Sequence, residues 1–284
     1  MDYRMVTNSN VEMIEVTPIN CTGIAEAYCS TRHGGVSEGP TASMSVNIYK
    51  KFDVEAGQEN FRIFCNAIGV NPNRVITNRL IYGTDVVRCV NASDLIDIYD
   101  EPQAPHADGL VTDDPSITLF LYAADCAIVQ FVDVKKKVVA CCHAGWKGSL
   151  CGIIGNTVEA MKNNYGCLVE DIVAVILPSI GQCCFEVGEE VAVQFRDAGF
   201  SEYIDQSKDK PHIDLFGVNS AILRKAGLTE NNIHKIDLCT YCNEELFHSF
   251  RRGPVETQTK PDGKLIQAHL NGMNGMFIRL SSHK

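Results

Sequence analysis

Residues 107–148 read ADGLVTDDPSITLFLYAADCAIVQFVDVKKKVVACCHAGWKG, and three apolar runs lie within them, at 107–112, 117–132 and 137–142. Such runs read as buried strands, and the short VKKK segment predicts that the strands flanking it pair as a hairpin. Cys126 follows Ala123, Ala124 and Asp125, and His143 ends the next run just before the tight AGWKG turn. The pairing therefore puts a thiol and an imidazole at two strand-to-turn corners, facing one cavity. A cysteine thiolate and a neutral imidazole suit zinc, and a cysteine beside a histidine base also suits a nucleophile. A buried thiol next to a satisfied core histidine is the plainer alternative, and two residues alone do not separate the three.

On the N-terminal side, residues 23–32 (GIAEAYCSTR) predict a strand, and the HGGVSEGPTAS that follows is a loop of the kind that carries binding groups. Phe61, Phe64, Cys65 and Ile68 recur at helical spacing. So do Ile153, Ile154, Thr157, Val158 and Met161, between Gly148 and Gly166. A strand is predicted at 172–177, helices at about 187–198, 214–226 and 243–251, and a closing strand GMFIRL at 275–280. The strands are too unevenly spaced for a regular βαβ series, and no repeat or linker interrupts the chain. The pattern predicts one α+β domain over residues 1–284, with mixed sheets covered by helices.

Lys plus Arg number 25 against 35 Asp plus Glu, a formal charge of −10, and no long basic run occurs. That balance argues against nucleic-acid binding. The start, MDYRMVTNSNVEMIEV, lacks a basic segment leading into an apolar one, and no apolar run reaches membrane-spanning length, so a cytoplasmic protein that engages no membrane is expected. Thirteen cysteines in a chain of 284 residues without a secretory signal predict mostly reduced, buried thiols.

Other segments with chemical content are STRHGGVSEG at 30–39, SVN at 45–47, PSIGQCCFEVGEEV at 178–191, CTYCNEELFHSFRR at 239–252 and NGMNGMFIRL at 271–280. With ADC at 124–126 and HAGWKG at 143–148, these resemble, in order and over nearly the whole length, the signatures of the multicopper polyphenol oxidoreductase, or laccase-domain, family. The resemblance implies that family's layered fold and zinc-dependent purine nucleoside phosphorolysis. It also implies adenosine deamination and methylthioadenosine cleavage at the same site. Its partners would be a purine nucleoside and phosphate, and its cofactor zinc. By the same resemblance Cys126 and His143 are metal ligands and catalytic groups. Arg32 joins them as a catalytic residue, a guanidinium beside the HGG amides able to grip phosphate. His33, Ser45, Asn47, Asp125 and Trp146 fall at substrate-binding positions, although Trp146 also reads as a core anchor and Arg32 as a surface ion-pairing residue.

The chain departs from the family pattern at several points. LIYGTDVV at 80–87 puts Leu80 where Gln is expected and Tyr82 where the third zinc-binding His belongs. Met273 replaces an Arg, and Leu177 replaces the Gly before Pro178. A neutral phenol is a poor zinc ligand, so a Cys126, His143 and Tyr82 site predicts zinc that is weakly held or absent. His33 and His106 are possible replacements, and Arg251 and Arg252 are second choices for an anion contact at the end of the helix predicted over 243–251. Cys183, Cys184, Cys239 and Cys242 include a CTYC spacing suited to zinc, yet adjacent Cys183 and Cys184 would face opposite ways in an extended chain, so buried thiols are the expectation there.

Three classes of function follow: a nucleoside phosphorylase, a metal-free hydrolase or deamidase with Cys126 as nucleophile and His143 as its base, and a non-catalytic paralogue. Laccase chemistry is disfavoured, because the eight histidines include no His-x-His pair. No P-loop, complete GxGxxG or zinc-deaminase signature is present.

Overall fold

The structure, a computed structural model, describes residues 1–49, 53–90, 104–259 and 265–281. In chain order the first half contributes β1 (Tyr3–Asn8), β2 (Val11–Val16), α1 (Thr17–Asn20), β3 (Ala25–Ser30), α2 (Val54–Ala67), β4 (Val75–Ile76), β5 (Val86–Arg88), β6 (Gly109–Thr112), β7 (Thr118–Ala123), β8 (Ala127–Asp133) and β9 (Val138–Ala144). The second half contributes α3 (Trp146–Cys151), α4 (Ile153–Tyr165), β10 (Ile172–Ile176), α5 (Glu189–Asp197), β11 (Ile204–Asp205), β12 (His212–Ile213), α6 (Leu215–Lys225), β13 (Ile233–Lys235), β14 (Val255–Thr259), β15 (Leu265–His269) and β16 (Asn274–Leu280).

Two six-stranded mixed sheets carry the architecture, one ordered β1-β2-β3-β16-β7-β4 and the other β13-β10-β8-β9-β6-β5. The side chains of β8 show how they stack. Ile128 and Val132 point into a core shared with Leu119, Leu121 and Ile278 of the first sheet, while Ala127, Val129 and Phe131 point the other way, onto Ile154, Val158 and Leu223 of the helices. On the far face of the first sheet, Phe61 and Phe64 of α2 close a third cluster with Phe120 and Phe277. The result is four layers: α2, sheet, sheet, then α3 to α6. A strand covered on both faces has no polar side to alternate, which is why 117–132 reads as one unbroken apolar run. That run divides at Ala124-Asp125-Cys126, and its halves enter different sheets.

The hairpin forms in the register Ala127↔Ala144 to Asp133↔Val138. The helix expected over 243–251 does not form, and that segment is a series of turns. Side chains take the two backbone groups an i→i+4 bond of that helix would have joined: the Arg252 guanidinium donates to the Phe247 carbonyl and Asp125 accepts from the Arg251 amide. All thirteen cysteines are free, seven of them buried. No described helix is long and apolar enough to cross a membrane.

His248 lies in these turns, 2% exposed, with its Nε2 donating to the Met44 carbonyl at 3.2 Å. Burial first, then the nearby Arg32 and Arg252 charges, push its pKa down from 6.5 to about 3. A depressed histidine keeps its full stabilising contribution above the unfolded value and loses it as pH falls from 6.5 through about 3. Stability is therefore expected to drop by about 1.4 kcal/mol per pH unit between roughly pH 6 and 5 from this group alone. Chemical denaturation of wild type and His248→Gln across pH 7 to 5 checks this: the variant, whose amide can still reach Met44, should show a flatter dependence.

Candidate active site

β6 and β9 pair antiparallel with Gly109 opposite Cys142, which places Asp108 next to His143. The His143 amide donates to the Asp108 carbonyl at 2.7 Å, and Asp108 Oδ1 lies 3.3 Å from His143 Nδ1. The other carboxylate oxygen accepts from the amides of Ile81 at 3.2 Å and Gly83 at 2.8 Å. One wholly buried carboxylate thus orients the imidazole and pins the loop that carries Tyr82. Sequence reasoning missed Asp108; the only signal was the ADG that opens the segment quoted above.

Across the imidazole, Cys126 lines the same cavity as His143 and is near enough to raise the histidine's pKa. A Cβ on Gly145 would stand 3.1 Å from Cys126 Sγ and 3.3 Å from His143 Nε2, so any side chain there would press on both groups. This explains the glycine after HA in the HAGWKG turn. Burial is the largest single influence on His143 and lowers its pKa. The Cys126 and Asp108 contacts together outweigh it and raise the imidazole to about 9. Asp108 is held below its usual range: burial opposes this, but the His143 hydrogen bond and the Gly83 and Ile81 amides prevail.

Cys126 and His143 line a cavity of about 610 Å³. Asn47, Tyr82, Asp125 and Trp146 also line it, as do Arg79 and Arg251. Met273 is on its wall, its amide held by Ser45 Oγ at 3.2 Å, so Ser45 is one layer behind. Asp125 is held as a structural clip: its carboxylate accepts from Thr240 Oγ1 at 2.6 Å, Ser249 Oγ at 2.9 Å and the Arg251 amide at 2.7 Å. Leu177 is fully buried between the sheets, so the side chain absent from a glycine is used to fill the core.

Arg32 is not among the residues around this cavity. It lines a separate cleft of about 200 Å³, shared with His248 and Arg252. Its guanidinium donates to the Ala42 carbonyl at 2.7 and 3.0 Å and to the Glu244 carbonyl at 3.0 Å, tying two loops together. His33 and His106 are exposed and line neither space.

The donors present fall short of a three-ligand zinc site. Cys126 and His143 supply two. Tyr82 is the neighbour at the third position, its ring 5.7 Å from the His143 ring between centroids at an edge-on 71°. Zinc would need the phenolate, whereas partial desolvation of this largely exposed side chain, then the Cys126 and Asp108 charges, raise the phenol above its usual pKa.

A second group of donors lies elsewhere. The sulfurs of Cys183, Cys184, Cys239 and Cys242 are all within 4.8 Å of one another, a cluster that can hold a metal ion. This corrects the expectation of buried thiols facing different ways. Residues 182–184 form a turn rather than an extended strand, with the Cys184 and Phe185 amides both donating to the Gly181 carbonyl, so adjacent sulfurs turn to the same side.

Fold and site together define a layered α+β protein with a cysteine and a histidine lining a cavity of about 610 Å³ and a buried carboxylate behind the histidine. The family profile described as multi-copper polyphenol oxidoreductase laccase matches residues 26–267, and the chain belongs to that family. Mouse purine nucleoside phosphorylase LACC1 is 34% identical over 239 residues, which are 81% of this chain and 53% of that protein, so the chain spans about half the length of that relative. Purine nucleoside phosphorylase YlmD of Geobacillus stearothermophilus is 30% identical over 80% of this chain and 85% of its own. Its crystal structure superimposes with a TM-score of 0.84 at 26% identity, covering 98% and 99% of the two chains. A prokaryotic protein named adenosine deaminase RL5 is 32% identical over 80% of this chain and 88% of its own.

Proposed function

We propose that this protein is a purine nucleoside phosphorylase-like enzyme, cleaving adenosine, inosine, guanosine or methylthioadenosine with phosphate. The observation that carries this reading is the convergence of Cys126 and His143, backed by Asp108, on the floor of the 610 Å³ cavity. That volume suits a nucleoside. In the reaction a phosphate oxygen bonds to ribose C1′ as the bond from C1′ to the purine nitrogen breaks, and the electron pair leaves with the base, which takes up a proton. His143, oriented by Asp108, is the proton donor on the cavity floor. Arg251 and Arg79 line the same space and receive the phosphate, and Trp146 offers an aromatic face to the purine. Zinc is weakly held or absent at this pair, which supplies two donors and a neutral phenol.

A nucleoside panel assayed with and without phosphate tests the reading. Free base and ribose 1-phosphate should form only when phosphate is present. Inosine released from adenosine in either condition would add the deamination for which one relative is named. No turnover of any nucleoside would overturn the reading and leave a non-catalytic paralogue. The Asp108 contact also favours a second reading, because thiol, imidazole and carboxylate in series form a metal-free hydrolase or deamidase arrangement with Cys126 as nucleophile. Rapid labelling of Cys126 by iodoacetamide, slowed by His143→Ala, would support it.

A further inference from the structure

We propose that Cys183, Cys184, Cys239 and Cys242 together bind one tetrahedral zinc ion, a structural site separate from the Cys126 and His143 pair, which fastens one wall of the cavity. The geometry is close to what four thiolates require. Zinc–sulfur bonds of about 2.3 Å at tetrahedral angles separate the sulfurs by about 3.8 Å. Here Cys242 Sγ is 3.5 Å from Cys183 Sγ and 3.3 Å from Cys184 Sγ, and all four sulfurs fall within 4.8 Å. Four thiolates in that arrangement suit zinc or iron, and zinc needs no redox partner to stay bound.

The backbone is shaped for the approach. A Cβ on Gly181 would stand 3.1 Å from Cys239 Cβ and 3.3 Å from Cys183 Sγ, so a side chain there would press on both loops where they meet. The Gly181 amide donates to Cys239 Sγ at 3.2 Å, a bond that favours a sulfur carrying negative charge. At the CTYC turn, Asn243 closes the loop with its amide and side chain on the Cys239 carbonyl, at 3.0 and 2.8 Å. Cys183 and Cys242 are exposed, which gives an ion a way in.

Charge is balanced nearby. Four thiolates around a divalent ion leave a net −2, and cations flank the site: Lys208 Nζ donates to the Cys183 carbonyl at 3.3 Å and Arg252 to the Tyr241 carbonyl at 2.7 Å. On binding, each thiol passes its proton to solvent as its sulfur enters the coordination sphere. The ion would join segments separated by 58 residues. Ile180 and Phe185 of the first segment line the cavity, and Thr240 of the second bonds Asp125 on the cavity wall. Zinc here therefore sets the shape of the pocket without touching the substrate.

The test is zinc analysis of the reduced protein. One zinc ion per chain is expected, retained in Cys126→Ala and lost in Cys242→Ser and Cys184→Ser. Because the cluster variants can fail to fold, wild type supplies two further readouts. Cobalt(II) should give the intense absorption of a tetrahedral four-thiolate site. Alkylation of the four cysteines, read by mass spectrometry, should be slow until a chelator is added. Zinc that follows Cys126 and His143 rather than the cluster overturns the proposal. So do alkylation indifferent to chelator, iron in place of zinc, or no binding of zinc or cobalt.

Discussion

His143→Ala is expected to lower kcat for phosphorolysis by about 10²- to 10⁴-fold, the range a positioned proton donor contributes. The imidazole is buried, lines the cavity beside Cys126 and has its Nδ1 against the Asp108 carboxylate. Asp108→Asn should cost less, about 10- to 100-fold, since it removes the partner that orients the ring and favours its proton while leaving the ring in place. The amide oxygen of Asn can replace only one of the two carboxylate roles, either on His143 or on the Ile81 and Gly83 amides. Steady-state kinetics on inosine with saturating phosphate, alongside circular dichroism to confirm folding, decides between these roles. A folded His143→Ala enzyme with unchanged kcat would move the chemistry away from this pair.

Tyr82→His is expected to convert a two-donor pocket into a zinc site. The backbone of the Tyr82 loop is fixed by Asp108 through the flanking amides, and its side chain already meets the His143 ring edge-on. Position 82 has a φ of +56°, a left-handed conformation in which histidine is among the better tolerated residues. It is also 60% exposed, so the substitution opens no core cavity. Three protein ligands and one open position would result, and zinc affinity at this pocket should rise by at least about tenfold, the least that even an outer partner contributes. Competition with a chromogenic chelator, performed in a Cys242→Ser background to remove the other cluster, measures the change. Wild-type protein that already binds zinc tightly through Cys126 and His143 would show that the phenol is no obstacle. A variant that gains metal without gaining turnover would instead point to Met273, which stands on the cavity wall where the family pattern has an arginine.

The segment from 107 to 148 was sufficient to predict the hairpin and the meeting of Cys126 with His143. Both follow from local facts, an apolar run on each side of a short turn and one residue at each corner. The α2 and α4 helices were equally legible, because Phe61, Phe64 and Cys65 or Ile154, Val158 and Met161 mark one face at helical spacing. The failures have a common cause, contacts made across large sequence separations. The stretch 243–251 carries a helical pattern, yet Asp125 and Arg252 capture its Arg251 amide and Phe247 carbonyl, and Asp125 lies more than a hundred residues away. Arg32 read as an anion contact beside loop amides, but the fold turns its guanidinium onto the Ala42 and Glu244 carbonyls.

Asp108 was invisible for the same reason, since only the β6 and β9 register brings it beneath His143. The four cysteines show the limit most directly. A sequence gives adjacent Cys183 and Cys184 opposite directions if the chain is extended, and the hydrogen bonds to the Gly181 carbonyl replace that extension with a turn. The sequence by itself determined the class of fold, the layered pattern of apolar strands and the cysteine–histidine pair. Only the tertiary structure decided which carboxylate orients that pair, which arginines line the cavity and that four thiols converge, because these depend on strand register, on the turn that Gly181 closes locally and on loops brought together from far along the chain.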